Sequence, residues 1–356
     1  MTRFMGGGEV FLLRLAELVG STIHLVVVSP SLAALEAGLT QRGGAFLGLG
    51  ARGWVRWNIL RWLWRCRREL RSGPAVIVLN GRGAAYLAPS VRLLTGLAPV
   101  IIRHTCLSSL QGDLKEAVYR LATRFARRVV AVSDHVAAEH ARRWADLDVV
   151  SIPNWFFAPT SPLLDKARIC ASDATLRAAV VARLEPGKGV EDVAAACVKD
   201  AGIELHVYGD GVMAGRLRAL YKNSPSVHWE GHVDDLSSRL TEDVILISGS
   251  YSESFSYALG EGVLAGLLCV VTDIPAHREL LGDDYPRTLF FPPGDQVALR
   301  RSLQVARRLL CDGSGEGARR AIAGARNRIL HRNSPDAARE RYLAVFSAAG
   351  GEDAGV

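Results

Sequence analysis

Short apolar runs alternate with helical stretches along the whole chain. Ile23–Val28, Ala75–Leu79, Val100–Ile102 and Val129–Val132 read as strands in the first half, and Ala178–Val181, Glu204–Tyr208, Val244–Ile247 and Leu268–Thr272 in the second. Runs that are apolar at nearly every position, with helix-period sequence between them, predict parallel strands covered by helices on both faces. A chain of 356 residues holds about two domains of ordinary size, each with its own core. The expected fold class is therefore α/β, with two Rossmann-like domains facing across a cleft and the ligand at the carboxyl ends of the strands. The polar stretch Ala158–Ser172, with two prolines, reads as a linker between residues 1–157 and residues 173–334. A first strand is expected ahead of Gly6-Gly7-Gly8, yet five residues precede it, so either the sheet lacks that strand or the chain start is truncated. The tail Gly350–Val356 is expected to fray.

The candidate chemistry gathers after the strands. In Ser250–Gly262, Glu253 and Glu261 stand eight residues apart across a strand-to-helix junction. If the helix carries Glu261 two turns further in, its rise separates the carboxylates by roughly 12 Å, a span suited to a ligand with hydroxyls at both ends. Between them, the backbone N–H groups of Ser254, Phe255 and Ser256 are the expected open donors of a helix N-terminus, a site for phosphate oxygens. Read alone, the same residues are equally a capping carboxylate and one surface glutamate. Arg183 and Lys188 lie just beyond a strand, where two cations face either an anionic ligand or solvent. His104 follows the strand Pro99–Ile102, either as a hydrogen-bonded structural residue or as a ligand-facing one. Gly6-Gly7-Gly8 permits close backbone approach to a ligand.

Taken together, Val180-Val181-Ala182-Arg183-Leu184-Glu185-Pro186-Gly187-Lys188-Gly189-Val190 and the paired glutamates resemble the retaining glycosyltransferases of family four. Ala182 stands where that family usually has Gly. The resemblance continues in His206-Val207-Tyr208-Gly209-Asp210-Gly211, in Val227–Val233 and in Phe291–Asp295, and covers the C-terminal half almost continuously. In the N-terminal half it is thinner, carried by Gly6–Glu9, Val130–Ser133 and Ile152-Pro153-Asn154. Trp155-Phe156-Phe157 then departs from the pattern, where Gly and an acidic residue are common. The resemblance implies the GT-B architecture, with a C-terminal helix in residues 335–349 crossing back to the first, acceptor-side domain. It implies these roles: Glu261 on the nucleotide ribose, Glu253 on the donor-sugar hydroxyls, Arg183 and Lys188 on the diphosphate, and His104 on the sugar. Ser254, Phe255, Ser256, Gly209, Gly7 and Gly8 would complete the donor site. The implied activity is retaining, metal-independent transfer from a nucleotide-sugar donor to a glycan or lipid-linked acceptor, in surface polysaccharide or glycolipid synthesis. No cofactor is expected, the nucleotide-sugar being a substrate.

Composition narrows the partners. Residues 1–150 carry 20 Lys and Arg against 10 Asp and Glu, a surplus of +10, whereas the remainder carries −3. The basic half faces something anionic. No zinc finger or RNA-binding aromatic signature favours nucleic acid, and no Walker loop is present. In Trp54–Arg71, helical spacing places Val55, Ile59, Trp62, Leu63, Cys66 and Leu70 on one face. Trp54, Trp57 and Trp64 interleave with Arg61, Arg65 and Arg68 on the other. That second face reads as an anchor on an anionic membrane surface, unless neighbouring loops cover its rings. Six cysteines with no CxxC pair and no metal-ligand spacing argue against a disulfide framework or a zinc site and fit a reducing compartment, and no metal ligand is expected. Asp146-Leu147-Asp148 has the spacing of a metal-binding Asp-x-Asp but reads as a surface turn. No apolar run reaches the ~18 residues of a membrane span and no signal peptide is evident. The expected location is cytoplasmic, peripheral on the inner face of the membrane. Two other classes stay open: a nucleotide-sugar epimerase, and a non-catalytic nucleotide-sugar-binding subunit.

Overall fold

The computed structural model describes residues 7–20, 24–30, 33–42, 45–49, 75–104, 113–157, 175–200, 202–233, 240, 245–311 and 315–347. The expected first strand, the Trp54–Arg71 helix, the linker 158–172 and the tail Gly350–Val356 lie outside them. The chain divides into two compact units, Met1–Trp155 with Pro335–Val356, and Phe156–Ser334.

Unit 1 is a parallel sheet wrapped by helices. Its strands are β1 (His24–Pro30), β2 (Ala45–Leu49), β3 (Ala75–Asn80), β4 (Val100–Arg103), β5 (Arg128–Ala131) and β6 (Val149–Ser151), in the order β2-β1-β3-β4-β5-β6. All pairings are parallel, and β1 runs directly beside β3 with His24 opposite Ala75. The helices are α1 (Gly7–Val19), α2 (Ala33–Gln41), α3 (Gly81–Ala85), α4 (Ala88–Thr95), α5 (Asp113–Thr123) and α6 (Asp134–Arg143). Strands such as Val100–Ile102 are buried at every position because both faces carry helices, which is why their sequence does not alternate.

Unit 2 repeats the design. Its strands are β7 (Leu176–Val181), β8 (Ile203–Tyr208), β9 (Val227–Gly231), β10 (Ile245–Ser248), β11 (Leu268–Thr272) and β12 (Phe290–Phe291), in the order β12-β11-β10-β7-β8-β9. Its helices are α7 (Val190–Cys197), α8 (Ala214–Leu220), α9 (Tyr257–Leu264), α10 (Pro275–Leu281), α11 (Gln296–Leu310) and α12 (Glu316–Arg332). The strand order reverses between β7 and β10, and open parallel sheets bind ligands at the carboxyl ends of strands flanking such a reversal.

The division falls two residues ahead of residue 157, for a packing reason. Trp155 is fully buried in unit 1, with its ring edge-on to Phe11 and Tyr342. Its neighbour Phe156 is buried in unit 2 against Phe255 and Tyr257, and its N–H donates to the carbonyl of Asn333. The stretch that departs from the family pattern thus supplies one aromatic anchor to each unit. The last helix, α13 (Pro335–Ser347), belongs to unit 1. It packs on α1 through Tyr342, and Arg339 donates to the carbonyl of Leu18.

Candidate active site

In unit 2 the loops that follow β7 and β10 meet at the strand-order reversal. The β7 loop turns sharply at Gly187 and Gly189, whose φ angles of +86° and +62° suit glycine alone among common residues. A Cβ on Gly189 would overlap the carbonyl of Gly249 at the end of β10, so the two loops press together at that point. Tyr251 fastens them: its N–H donates to Gly187 and its hydroxyl to Asp192. Below, the hydroxyl of Thr272 donates to the Ser250 carbonyl at 2.6 Å, fixing the start of the second loop to β11.

This scaffold brings Lys188 and Glu253, 65 residues apart in sequence, to 2.6 Å between Nζ and Oε1. The same carboxylate oxygen accepts from Ser250 Oγ at 2.8 Å. Both side chains are largely covered, at 21% and 16% exposure, so their attraction is screened less than at the surface. Arg183 does not join them. Its side chain is 61% exposed and pairs with Glu185 at 3.1 Å.

Three donor-site expectations change. Helix α9 opens at Tyr257 with Ser256 as N-cap, an extended residue at φ −101°, ψ 90°. The first turn of the helix is therefore Tyr257, Ala258 and Leu259, while Ser254 and Phe255 lie ahead of the cap. The Phe255 ring packs on Phe156 and Tyr257 just ahead of the helix. Glu261 consequently stands about one turn into α9 rather than two, so the helical estimate of the carboxylate spacing does not hold. Gly209 is a packing residue. Its N–H donates to the Gly231 carbonyl, and a Cβ there would overlap the Ala182 carbonyl, so its amide is not open to a phosphate. A cavity of about 390 Å³ lies beside the β7 loop, lined by Leu184, Gly187, Gly189, Met213, Leu217 and Tyr251; Lys188 and Glu253 are not in its wall.

In unit 1, Gly7 and Gly8 form the first turn of α1 rather than a loop. Gly8 faces Asn80 and His104, which end β3 and follow β4. Asn80 Oδ1 lies 2.6 Å from His104 Nε2, and the Phe11 ring stands edge-on to the imidazole at 4.8 Å. Burial, helped by the adjacent Arg103 cation, lowers the His104 pKa to about 4, so the ring is neutral near pH 7. Asn80 stands in no motif, and its place at a strand's carboxyl end is the one signal that could have found it. Asp146 and Asp148 are surface residues held by Arg120, Arg124 and Arg128.

His140, fully buried, is likewise lowered to about 4, mainly by burial. Both folded-state values lie below the unfolded value near 6.5. As pH falls from 6.5 toward 4, the unfolded chain takes up protons that the native one refuses, so stability falls across that window and is fully present above it. NMR titration is expected to find both imidazoles still neutral at pH 5.5; a midpoint near 6.5 for His104 would contradict its half-buried, Asn80-paired state.

Residues 5–156 match the model of Glycosyltransferase Family 4, and residues 176–307 match that of Glycosyl transferases group 1. A search of curated proteins finds no match. Among solved structures, Anabaena HepE in complex with UDP-glucose superposes with a TM-score of 0.77 at 16% identity, covering 97% of each chain. The lipopolysaccharide outer core galactosyltransferase WaaB, in its apo form, gives 0.71 at 16%, covering 97% of this chain and 96% of its own. A glycosyltransferase from Rickettsia africae gives 0.74 at 15%, with 97% and 95% covered. At such identities the likeness establishes the fold, which is GT-B. With a family model matched in each half of the sequence and that architecture throughout, the chain is a group 1 glycosyltransferase.

Proposed function

We propose that the protein is a retaining, metal-independent hexosyltransferase that moves a sugar from a nucleotide-sugar donor to a glycan or lipid-linked acceptor. The carrying observation is the Lys188–Glu253–Ser250 constellation at the strand-order reversal of unit 2. Lys188 stabilises the charge that develops on the departing diphosphate, and Arg183, exposed beside it, turns to the same charge when the donor binds. A fixed cation does this without reorganisation at the moment of reaction. Glu253 accepts from the donor-sugar hydroxyls, and Glu261, on α9, from the ribose. The N-terminal turn of α9 presents its positive dipole end, which favours negative charge. His104, neutral, offers a hydrogen bond to the sugar without adding charge. The departing phosphate oxygen takes the acceptor proton on the face it leaves, so the new bond forms with the configuration of the old.

The structure of HepE holding UDP-glucose supports the donor class. A lipid-linked acceptor, and contact with an anionic inner-membrane surface, are supported by the Trp and Arg composition of 54–71. They are also supported by exposed Leu93 on α4 and Leu114, Val118 and Leu121 on α5, beside exposed Arg92 and Lys115. The alternative of an epimerase predicts sugar inversion without acceptor. The test is turnover of nucleotide sugars, with and without acceptor, in excess EDTA and well below the unfolding midpoint, with the product anomer read by NMR. Transfer with retention that survives EDTA is the expected result. Inversion, or an absolute need for added Mg²⁺ or Mn²⁺, would overturn the reading.

A further inference from the structure

The sheet of unit 2 carries a second group of ligand-grade side chains, on the faces of β8 and β9 rather than in the loops at the strand ends. The two strands pair in parallel with His206 opposite His228. Glu204, two residues before His206, points to the same face because strand side chains alternate. The two imidazoles stack with centroids 4.6 Å apart and planes at 18°. One nitrogen or oxygen from each of Glu204, His206 and His228 lies within 4.8 Å of the others.

The hydrogen bonds around them fix the tautomer. Glu230 Oε1 lies 2.7 Å from His206 Nδ1, and a carboxylate only accepts, so Nδ1 carries the hydrogen, and in the neutral ring, the form that binds metal, Nε2 holds the lone pair. Arg177 approaches the same Nδ1 at 3.4 Å, a longer contact with a group that has no lone pair to offer it. His206 Nε2 is buried without a hydrogen-bond partner, on a side chain only 7% exposed. His228 Nε2 also makes no hydrogen bond, although Glu204 Oε1 is 2.8 Å away; that oxygen is 3.9 Å from His206 Nε2. Two ring nitrogens and a carboxylate oxygen therefore converge with no hydrogen bond among them, and a cation at their centre satisfies all three. Metal–donor bonds near 2.05 Å place tetrahedral ligands roughly 3.3 Å apart, a spacing that the 2.8 and 3.9 Å separations bracket. Glu230 behind His206 supplies the carboxylate–histidine arrangement that orients a metal-binding imidazole.

We propose that Glu204, His206 and His228 bind a divalent first-row transition-metal ion, zinc foremost, with water in the fourth position. Two imidazoles and one carboxylate suit zinc rather than magnesium or calcium. The ion clamps the edge strand β9 to β8. No member of the group belongs to the proposed donor site, so this binding stands or falls independently of the transfer reaction.

The test uses the full chain, stripped with chelator and then titrated with Zn²⁺ by calorimetry and with Co²⁺ by visible absorption. The expected result is one equivalent bound, a tetrahedral cobalt spectrum, and an unfolding midpoint that rises with zinc. Glu204→Gln with His228→Gln, both at partly exposed positions, should weaken binding by at least ~100-fold and abolish the rise in midpoint. Glu230→Gln, which leaves all three ligands in place, should weaken it ~10- to 100-fold. Circular dichroism checks that the variants fold; should the double variant fail, Glu230→Gln decides. A wild type that takes up no zinc would overturn the assignment. So would variants that take it up as tightly, which would place the ion elsewhere.

Discussion

Lys188→Ala is expected to lower kcat by on the order of 10²-fold, about 3 kcal/mol of barrier, because it removes a fixed cation from the site of the leaving diphosphate. The same change also takes from Glu253 its 2.6 Å partner in a largely covered position, so it should cost about 1 kcal/mol of folding stability. Arg183→Ala separates the two effects. Its side chain is 61% exposed and its pairing with Glu185 contributes little to stability, so turnover should fall while the denaturation midpoint stays. Nucleotide-sugar turnover and urea denaturation of both variants are the measurements. Near-normal turnover in Lys188→Ala would remove the diphosphate role.

Gly189→Ala is expected to be worse than either for the fold of the site. Holding a non-glycine residue at φ +62° costs of order 1–3 kcal/mol, and the added Cβ also overlaps the Gly249 carbonyl. The loops after β7 and β10 must then part, which draws Lys188 away from Glu253. Stability should drop by about 2 kcal/mol or more, with kcat falling as steeply as in Lys188→Ala. Gly187→Ala, at φ +86° but with nothing within 4 Å of its Cβ, carries the strain alone and should be milder. Equal stability of the two variants would mean that the loops do not press together at Gly249.

Much of the fold was legible because each buried strand announces itself by a run such as Val180-Val181 or Val270-Val271 that tolerates no polar face. The short edge pieces were harder: β2 carries a glycine within it, β9 mixes polar and apolar residues, and β12 is two residues long. Lys188 and Glu253 could be singled out from their motifs, but their mutual contact could not. It depends on which strands become neighbours, and β7 and β10 are separated in sequence by β8 and β9. A glycine needed for close packing and one needed for ligand approach look alike in sequence, and at Gly209 the Gly231 and Ala182 carbonyls show the packing. Ser254 and Phe255 fall ahead of α9, in the stretch where the Phe255 ring packs on Phe156. Glu204, His206 and His228 escaped notice because their ligand spacing is set by strand alternation and pairing, not by a compact motif.

The crossing at Trp155 and Phe156 has a consequence for synthesis. Unit 2 is one uninterrupted stretch, whereas unit 1 is completed by α13, whose Tyr342 closes over Phe11 and Trp155. A ribosome delivers those last aromatic contacts only after every residue of unit 2 has been made. The portion translated first is thus the last to be finished, and through most of elongation Phe11 and Trp155 wait without Tyr342, a window in which chaperone binding to the nascent chain has an apolar target.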